Sequence, residues 1–183
     1  ELIVFMGGPW CGKGTVAREV CDLHPMDDCI EMGALFRALP DDSEIVRSIS
    51  AGNLAPDRAV YKLIRENLDP RKNILLDGFP RTLNQAKWFV KNYANKFNIK
   101  IIYLNTPESL LKQRIKKRHG EGSGRADDAD DRVINTRIKN FNDQTMPAVE
   151  WLRNARGIKF CDINGIPAPN VIVDEIMKRI KNK

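Results

Sequence analysis

The segment Gly7 to Thr15, with the sequence GGPWCGKGT, has the composition of a loop that binds phosphate. It follows the apolar run Leu2 to Met6 and leads into a stretch of helical periodicity. A buried strand that ends in a glycine-rich turn and continues as a helix points several backbone N–H groups at one anion. Lys13 adds a mobile positive charge that can follow the terminal phosphates of a nucleotide. Besides Lys13, the predicted nucleotide-binding residues of this loop are Gly7, Gly8, Pro9, Trp10, Cys11, Gly12, Gly14 and Thr15.

The position of the hydroxyl in this loop narrows the class of protein. The spacing from Gly7 to Lys13 matches the common phosphate-loop pattern, which continues with serine or threonine. Here Gly14 follows the lysine, and the hydroxyl arrives one position later at Thr15. This offset is typical of one subset of nucleotide-binding proteins, and it disfavours a general ATPase that is coupled to a partner.

A second group of chemically capable residues lies at Asp77 to Thr82, DGFPRT, directly after the apolar residues Ile74 to Leu76. A carboxylate at the end of a buried strand, beside a phosphate loop, is placed to hold Mg²⁺ directly or through its waters. The alternative for Asp77 is a turn or helix cap. Arg81 follows on a proline-fixed turn, where a guanidinium can bind phosphate through two parallel hydrogen bonds.

The four cysteines, Cys11, Cys21, Cys29 and Cys161, form no C-x-x-C pair and no Cys/His cluster. A structural zinc site is therefore not expected, and all the thiols are predicted to be reduced. Cys11 allows two interpretations, because Lys13 and a helix N-terminus both favour a thiolate, whereas a small side chain can simply fill a tight turn.

The elements that must position these residues alternate along the chain. Short apolar runs predict strands at Leu2 to Met6, Asp28 to Met32, Asn73 to Asp77, Lys100 to Asn105 and Lys159 to Ile163. Apolar residues three or four apart predict helices at Thr15 to Leu23, Asp57 to Asn67, Leu83 to Tyr93, Pro107 to Arg118, Ala129 to Asn142, Pro147 to Asn154 and Pro169 to Lys181. This alternation predicts an α/β fold with a parallel sheet, which binds ligands at the carboxyl ends of its strands. Two stretches interrupt this alternation of strands and helices: Phe36 to Ala55 and His119 to Asp131. We expect both to be mobile insertions without a core of their own.

The composition fits a single soluble domain of 183 residues, with 42% hydrophobic and 30% charged residues. No apolar run reaches the roughly 18 residues that span a bilayer, so a cytoplasmic protein without membrane contact is expected. The net charge of +6 suits a protein that handles polyanions, although solubility alone explains it equally well. The basic run Lys112 to Arg118 has no interleaved aromatic residues, and nucleic-acid binding is therefore not predicted.

Together, GGPWCGKGT and DGFPRTLNQA resemble the adenylate kinase family of nucleoside monophosphate kinases. The resemblance covers most of the chain. Gly33 to Arg37 is similar to the family's segment that leads to its first phosphate-binding arginine, and Gly52 to Asp57 is similar to the edge of its monophosphate-binding insertion. The chain also resembles the family in its short lid, at Arg114, Arg118, Ser123 to Arg125 and Asp127-Asp128, followed by Arg137. The resemblance implies one domain over 1–183 with the P-loop NTPase fold and a five-stranded sheet, an insertion at 33–56 and a short lid at 118–131 without zinc.

The resemblance also implies an activity, the reversible, Mg²⁺-dependent transfer of the γ-phosphoryl group of ATP to AMP by a monomer. Such a transfer needs no general base, because the accepting phosphate is already anionic near neutral pH. It needs positive charge around two polyanions. By resemblance, the catalytic residues are Lys13, Arg81, Arg118, Arg125 and Arg137. The AMP-binding residues are Gly33, Arg37, Leu54, Gly78 and Gln85, Arg114 lies against the adenine of ATP, and Asp77 holds Mg²⁺ through water.

This sequence departs from the family at Trp10, where relatives usually have a glycine that suggests a positive φ. A non-glycine residue there costs roughly 1–2 kcal/mol. Either the loop has relaxed, or Trp10 is strained against a compensating contact, and its ring could cover or obstruct the phosphates. The stretch from Arg37 to Gly52 is also shorter than usual, so the insertion could close less fully or admit other acceptors.

The base-binding segment departs as well, because Glu31, Met32 and Ala34 stand where relatives have hydroxyls and an aspartate. Gln85 matches the adenine-reading form, whereas a carboxylate at Glu31 would suit the N–H edge of guanine unless it simply faces solvent. The alternatives to an AMP kinase are therefore a kinase of UMP, CMP, GMP or a deoxynucleotide, and a catalytically weak nucleotide-binding domain.

Overall fold

The computed structural model describes residues 1–40, 43–120 and 130–181, and it describes side chains in all of these except 116–120. The strands are β1 Leu2–Gly7, β2 Asp28–Glu31, β3 Ile74–Asp77, β4 Ile99–Asn105 and β5 Ile158–Asn164. The helices are α1 Lys13–Leu23, α2 Met32–Arg37, α3 Glu44–Ser50, α4 Asp57–Asn67, α5 Leu83–Tyr93, α6 Glu108–Gly120, α7 Asp131–Asn140, α8 Met146–Arg153 and α9 Pro169–Lys181. A π-helical turn, Phe141–Thr145, joins α7 to α8.

The strands form one parallel sheet of five strands in the order β2-β3-β1-β4-β5. Phe5 of β1 lies opposite Asp77 of β3, and Glu31 of β2 lies opposite Asp77 on the other side. In such sheets, ligands bind at the carboxyl ends of the strands, where the strand order reverses. The loops that follow β1 and β3 therefore meet at one edge of the sheet with the start of α2, which follows β2 directly.

Both faces of the sheet are covered, which explains why its central strands are almost entirely apolar. Residues Leu2 to Phe5 of β1 are 0% exposed. One apolar cluster is built with helices α2, α4, α5 and α8, and the other with α1, α6 and α9. The sheet is thus a rigid platform from which the loops project.

The predicted α/β fold is confirmed, since each predicted strand is present within one residue at either end. The helices at Asp57–Asn67, Leu83–Tyr93 and Pro169–Lys181 have the predicted bounds. The prediction for Ala129 to Asn142 is wrong at its end, because α7 ends at Asn140 and a π turn follows. Pro147, early in α8, has no N–H to continue a regular helical ladder from the preceding turn.

The stretch Phe36 to Ala55 was expected to be a mobile insertion, but it contains α3 and the end of α2. Phe36 is 6% exposed, and Ile45 and Ile49 pack against the apolar cluster on that face of the sheet. The few apolar residues of this segment do not form a core of their own, because they join the main one. Most of the other predicted insertion, His119 to Asp131, lies outside the described residues.

The prediction that all four cysteines are reduced is wrong for one pair. Cys21 of α1 and Cys29 of β2 form a disulfide with a Cα–Cα distance of 6.5 Å, whereas Cys11 and Cys161 are free and buried. The two bonded cysteines are eight residues apart and form no motif, and the packing of the end of α1 beside β2 brings them together. Across the described ranges, no helix has the length and apolar character that a bilayer span requires.

Candidate active site

The phosphate loop, residues 7–15, is a tight turn between β1 and α1. The amide of Cys11 donates to the Gly8 carbonyl at 3.3 Å, and the amide of Thr15 donates to the Gly12 carbonyl at 3.1 Å. Gly12 has a φ of 92°, a conformation that favours glycine. A side chain at Gly7 would stand 2.8 Å from Cys11 Sγ, so only glycine fits there. The first amides of α1 are thereby aimed at the carboxyl end of the sheet.

Cys11 packs inward from this loop. Its side chain is 1% exposed and fills the space beside Gly7. This position agrees with the interpretation of Cys11 as a small side chain that fills a tight turn.

Arg114 of α6 holds the phosphate loop from behind. Its guanidinium donates to the Cys11 carbonyl at 2.6 Å and to the Gly165 carbonyl, just after β5, at 2.9 Å. The contact of Arg114 with the adenine of ATP stays a prediction. The structure adds a contact that was not predicted: the hydrogen bond from Arg114 of α6 fixes the shape of the phosphate loop.

Lys13 and Asp77 face each other where the loop meets β3. The Lys13 Nζ lies 3.7 Å from Asp77 Oδ1, and this buried oxygen accepts no hydrogen bond. A buried carboxylate oxygen without a hydrogen-bond partner is costly and calls for an explanation. A hydrated Mg²⁺ ion would provide one, since Mg²⁺ binds oxygen ligands and usually keeps several waters. In the part of the chain that the structure describes, no group of three or more His, Cys, Asp and Glu residues could hold a metal ion.

Trp10 is the residue of the loop that carries backbone strain. Its φ is 58°, and it is the one non-glycine residue with a positive φ among those described. The loop has therefore not relaxed to accommodate the side chain. The Arg137 Cζ lies 5.8 Å from the centre of the indole ring, within the range of a cation–π contact. Of the alternatives for Trp10, the structure supports the one in which this residue is strained and makes a compensating contact.

The opposite side of the site is built by β2 and α2, which follow each other without a loop. Glu31 Oε1 accepts a hydrogen bond from Arg37 Nη2 at 2.8 Å, and both side chains are about half-exposed. A side chain at Gly33 would stand 2.9 Å from Arg37 Nη1, so this glycine makes room for the pair. The two interpretations of Glu31, as a base contact and as a solvent-facing end, both missed this ion pair.

The DGFPRT turn fixes Arg81 through its backbone and its side chain. The Phe79–Pro80 peptide is cis, and Gly78 has a φ of 88°. The Arg81 Nε donates to the Gly78 carbonyl at 2.9 Å, and Thr145 Oγ1 donates to the Arg81 carbonyl at 2.9 Å. The guanidinium therefore stands on a well-anchored turn.

Gln85 joins this turn to α4. Its Oε1 accepts from the Arg81 amide at 2.8 Å, and its Nε2 donates to Asp57 Oδ1 at 2.8 Å. The Asp57 carboxylate also accepts from the Tyr61 hydroxyl at 3.4 Å, and burial together with this carboxylate raises the pKa of Tyr61. Asp57 was not among the predicted site residues, and its place in the first turn of α4 gives no sequence signal for a contact with Gln85.

One cleft brings most of the predicted residues together. Those that line it are Gly7, Pro9, Trp10, Cys11, Gly12, Lys13, Gly14, Thr15, Gly33, Arg37, Leu54, Asp77, Gly78, Arg81, Gln85 and Arg137. Gly8 and Arg114 are not part of this lining. Arg125 and the pair Asp127-Asp128 lie outside the described residues, as does the side chain of Arg118. Residues that line the cleft without having been predicted include Arg18, Ile49, Asn53, Asn140 and Thr145.

The segment between α3 and α4 also contacts α7. The Asn140 Nδ2 donates to the Gly52 carbonyl at 3.1 Å. Gly52 has a φ of 86°, and a side chain there would stand 2.9 Å from the Val133 carbonyl. The two walls of the cleft therefore meet through backbone packing at Gly52.

The geometry agrees with comparisons to known proteins. The sequence profile of the family described as Adenylate kinase matches residues 5–156. The chain is similar to the adenylate kinase of Flavobacterium psychrophilum, at 32% identity over 97% of this chain and 95% of the relative. It is similar to that of a Cyanothece species at 34% identity, over 90% of this chain and 87% of the relative, and to that of Rickettsia bellii at 31%, over 98% and 99%. These matches confirm the resemblance of the motifs: the chain belongs to the adenylate kinase family and is a phosphotransferase.

Proposed function

We propose that this protein transfers the γ-phosphoryl group of ATP to AMP and releases two molecules of ADP. The observation that carries the proposal is a cleft lined by two sets of residues that are suited to bind phosphate. The phosphate loop with Lys13 forms one set, and Arg37 with Arg81 forms the other. A protein that only hydrolyses ATP has no need for the second set.

The mechanism rests on positioning and charge. The amides of the phosphate loop and Lys13 bind the β- and γ-phosphates of ATP, and Arg37 and Arg81 hold the monophosphate in line with the γ-phosphate. Arg137, beside the loop, neutralises charge on the group in transfer. The monophosphate is already an anionic acceptor, so none of these residues acts as a base.

Mg²⁺ is the cofactor of the proposed reaction, and it supplies positive charge that offsets the charge of the phosphates. The buried Asp77 carboxylate would hold the ion through its waters. Asp77 Oδ1 is buried and accepts no hydrogen bond, and this supports the proposed role.

The domain organisation is part of the proposal. Residues 1–183 act as one domain, with a monophosphate-binding insertion at 33–56 and a lid at 118–131 that carries Arg118 and Arg125. Closure of the lid over both substrates excludes water, which otherwise competes as the acceptor. Compaction with a bisubstrate analogue, measured by solution scattering, tests this step, and unchanged dimensions would count against the lid.

We propose further that the protein acts in the cytoplasm as a monomer, with ATP and AMP as its partners. One chain carries both sets of phosphate-binding residues, so a second copy is not needed to complete the cleft. Light scattering of the purified protein with and without ATP measures the oligomeric state.

The activity is tested by mixing the purified protein with Mg²⁺-ATP and each nucleoside monophosphate in turn. We expect ADP formation with AMP and little diphosphate with UMP, CMP or GMP. Preference for another monophosphate would reassign the acceptor within the same fold. Measurable ATP binding without diphosphate from any acceptor would contradict the proposal and indicate a nucleotide-binding domain with weak or no catalysis.

A further inference from the structure

Arg37 is one of the two arginines that we propose to hold the monophosphate, and it is already bound to an anion of the protein itself. Its Nη2 donates to Glu31 Oε1 at 2.8 Å. Both residues line the cleft, and both side chains are partly open to solvent, at 44% for Arg37 and 42% for Glu31. The ion pair therefore lies at the place where the substrate phosphate must arrive.

The position of Glu31 is fixed by the fold. It is the last residue of β2, opposite Asp77 in the sheet, and α2 begins at the next residue. Gly33 leaves the space in which the carboxylate and the guanidinium meet. Because α2 follows β2 directly, Glu31 stays within reach of Arg37 when a ligand enters.

A carboxylate and a phosphate compete for the same donors of a guanidinium, because both bind it through paired oxygens. A monophosphate must take Arg37 from Glu31 or share it. In either case, a carboxylate remains close to a group that carries about −1.5 to −2 charges. Both effects weaken binding of the monophosphate, and neither acts on the base or on ATP.

We infer that Glu31 sets the affinity of the monophosphate site by competing with the substrate phosphate for Arg37. Glu31 is thus a positioning residue, since it acts on the substrate through Arg37. The inference rests on the proposed function, in which Arg37 holds the monophosphate. It assigns Glu31 to the phosphate and not to the base, so its effect is the same for every monophosphate that the cleft accepts.

The test is a steady-state comparison of the natural protein with Glu31→Gln. We expect the KM for AMP to fall about two- to five-fold, which corresponds to the strength of an exposed ion pair. The KM for ATP and kcat should stay within a factor of about two, as expected when binding of the ground state and the transition state changes equally. Glu44→Gln is the matched control, because it removes the same charge from the exposed start of α3 without lining the cleft.

Two further measurements separate this role from others. Inhibition by adenosine, which lacks the phosphate, should be equal in the natural protein and in Glu31→Gln. The low kcat/KM expected for GMP should rise in Glu31→Gln by the same factor as the kcat/KM for AMP. A selective loss of GMP turnover, or a change in adenosine inhibition, would show that Glu31 contacts the base and would overturn the inference.

Glu31→Ala is a second variant that controls for a local structural defect caused by the glutamine. It should also lower the KM for AMP. If the KM for AMP is unchanged or higher in both variants while diphosphate is still formed, the inference about Glu31 is overturned and the proposed function stands. Absence of diphosphate from the natural protein as well would instead contradict the proposed function.

Discussion

The two sides of the cleft hold their arginines in different ways. On the side of the phosphate loop, Arg137 lies over the indole of Trp10, and on the monophosphate side Arg37 is bound to the carboxylate of Glu31. A ring attracts a guanidinium through its face and adds no negative charge for a phosphate to displace. A carboxylate must be displaced. An arginine can thus be held in place before the substrate arrives, and the chemistry of its partner decides how far this opposes substrate binding.

The backbones of the two sides differ as well. The phosphate loop holds Trp10 in a strained conformation, with Arg114 fixing the loop from behind. On the monophosphate side, Arg81 stands on a turn that is held by Thr145 and Gln85. One side therefore holds a strained residue in its loop, and the other positions its arginine by ordinary hydrogen bonds.

The largest expected effect comes from removing the anchored arginine of the monophosphate side. Arg81→Ala should lower kcat/KM by about 10²–10³-fold, because a preorganised charged donor to the phosphate is lost. The fold should be retained, since the side chain is exposed and is not part of the apolar core. Kinetics together with thermal unfolding provide the measurement. If the variant unfolds, Arg81 is structural and the assignment is wrong.

The next effect concerns the Mg²⁺ ion that we propose to lie beside Asp77. Asp77→Asn should raise the Mg²⁺ concentration needed for half-maximal activity by about 10–100-fold, because the ion loses its charged oxygen partner. A Mg²⁺ titration at fixed ATP measures the change. An identical titration curve would remove Asp77 from the metal site and return it to a structural role.

A smaller effect is expected on the side of the phosphate loop. Trp10→Gly should lower kcat about two- to ten-fold, because Arg137 loses a cation–π partner worth roughly 0.5–2 kcal/mol. The free energy of unfolding should change little, since glycine also relieves a strain of about 1–2 kcal/mol. Trp10→Phe keeps a ring and is the control, with activity close to that of the natural protein.

The Trp10→Gly variant can also show that the two sides of the cleft do not differ in this way. A large gain in turnover for Trp10→Gly would mean that the indole obstructs the phosphates. No change would mean that the substitution of the family's glycine is harmless and that Arg137 is held by other groups.

Much of the fold could be predicted from the sequence because its signals are local. The run Ile74 to Leu76 is short, apolar and flanked by turn residues, which favours a buried strand. Helix α5 begins where Thr82 accepts a hydrogen bond from the Gln85 amide as an N-cap. The two segments that we propose to bind phosphate could be predicted to meet for the same reason, since each is a short continuous motif and both line one cleft.

The contacts that tune the site could not be predicted, because they join residues distant in sequence. Gln85 meets Asp57 only because α4 and α5 pack side by side, and Arg114 reaches the Cys11 carbonyl from 103 residues away. The pair of Glu31 and Arg37 is close in sequence, but it forms only because α2 starts without a loop. Spacing alone does not show which of several nearby anions an arginine will bind.

The central claim is that one chain brings two nucleotides together in one cleft. Calorimetric titration with a bisubstrate analogue, two adenosines joined by a phosphate chain, tests it most directly. We expect one analogue to bind per chain, to be displaced by both ATP and AMP, and to bind at least about 10²-fold more tightly than either nucleotide. An analogue that binds no more tightly than ATP, or that AMP fails to displace, would contradict it.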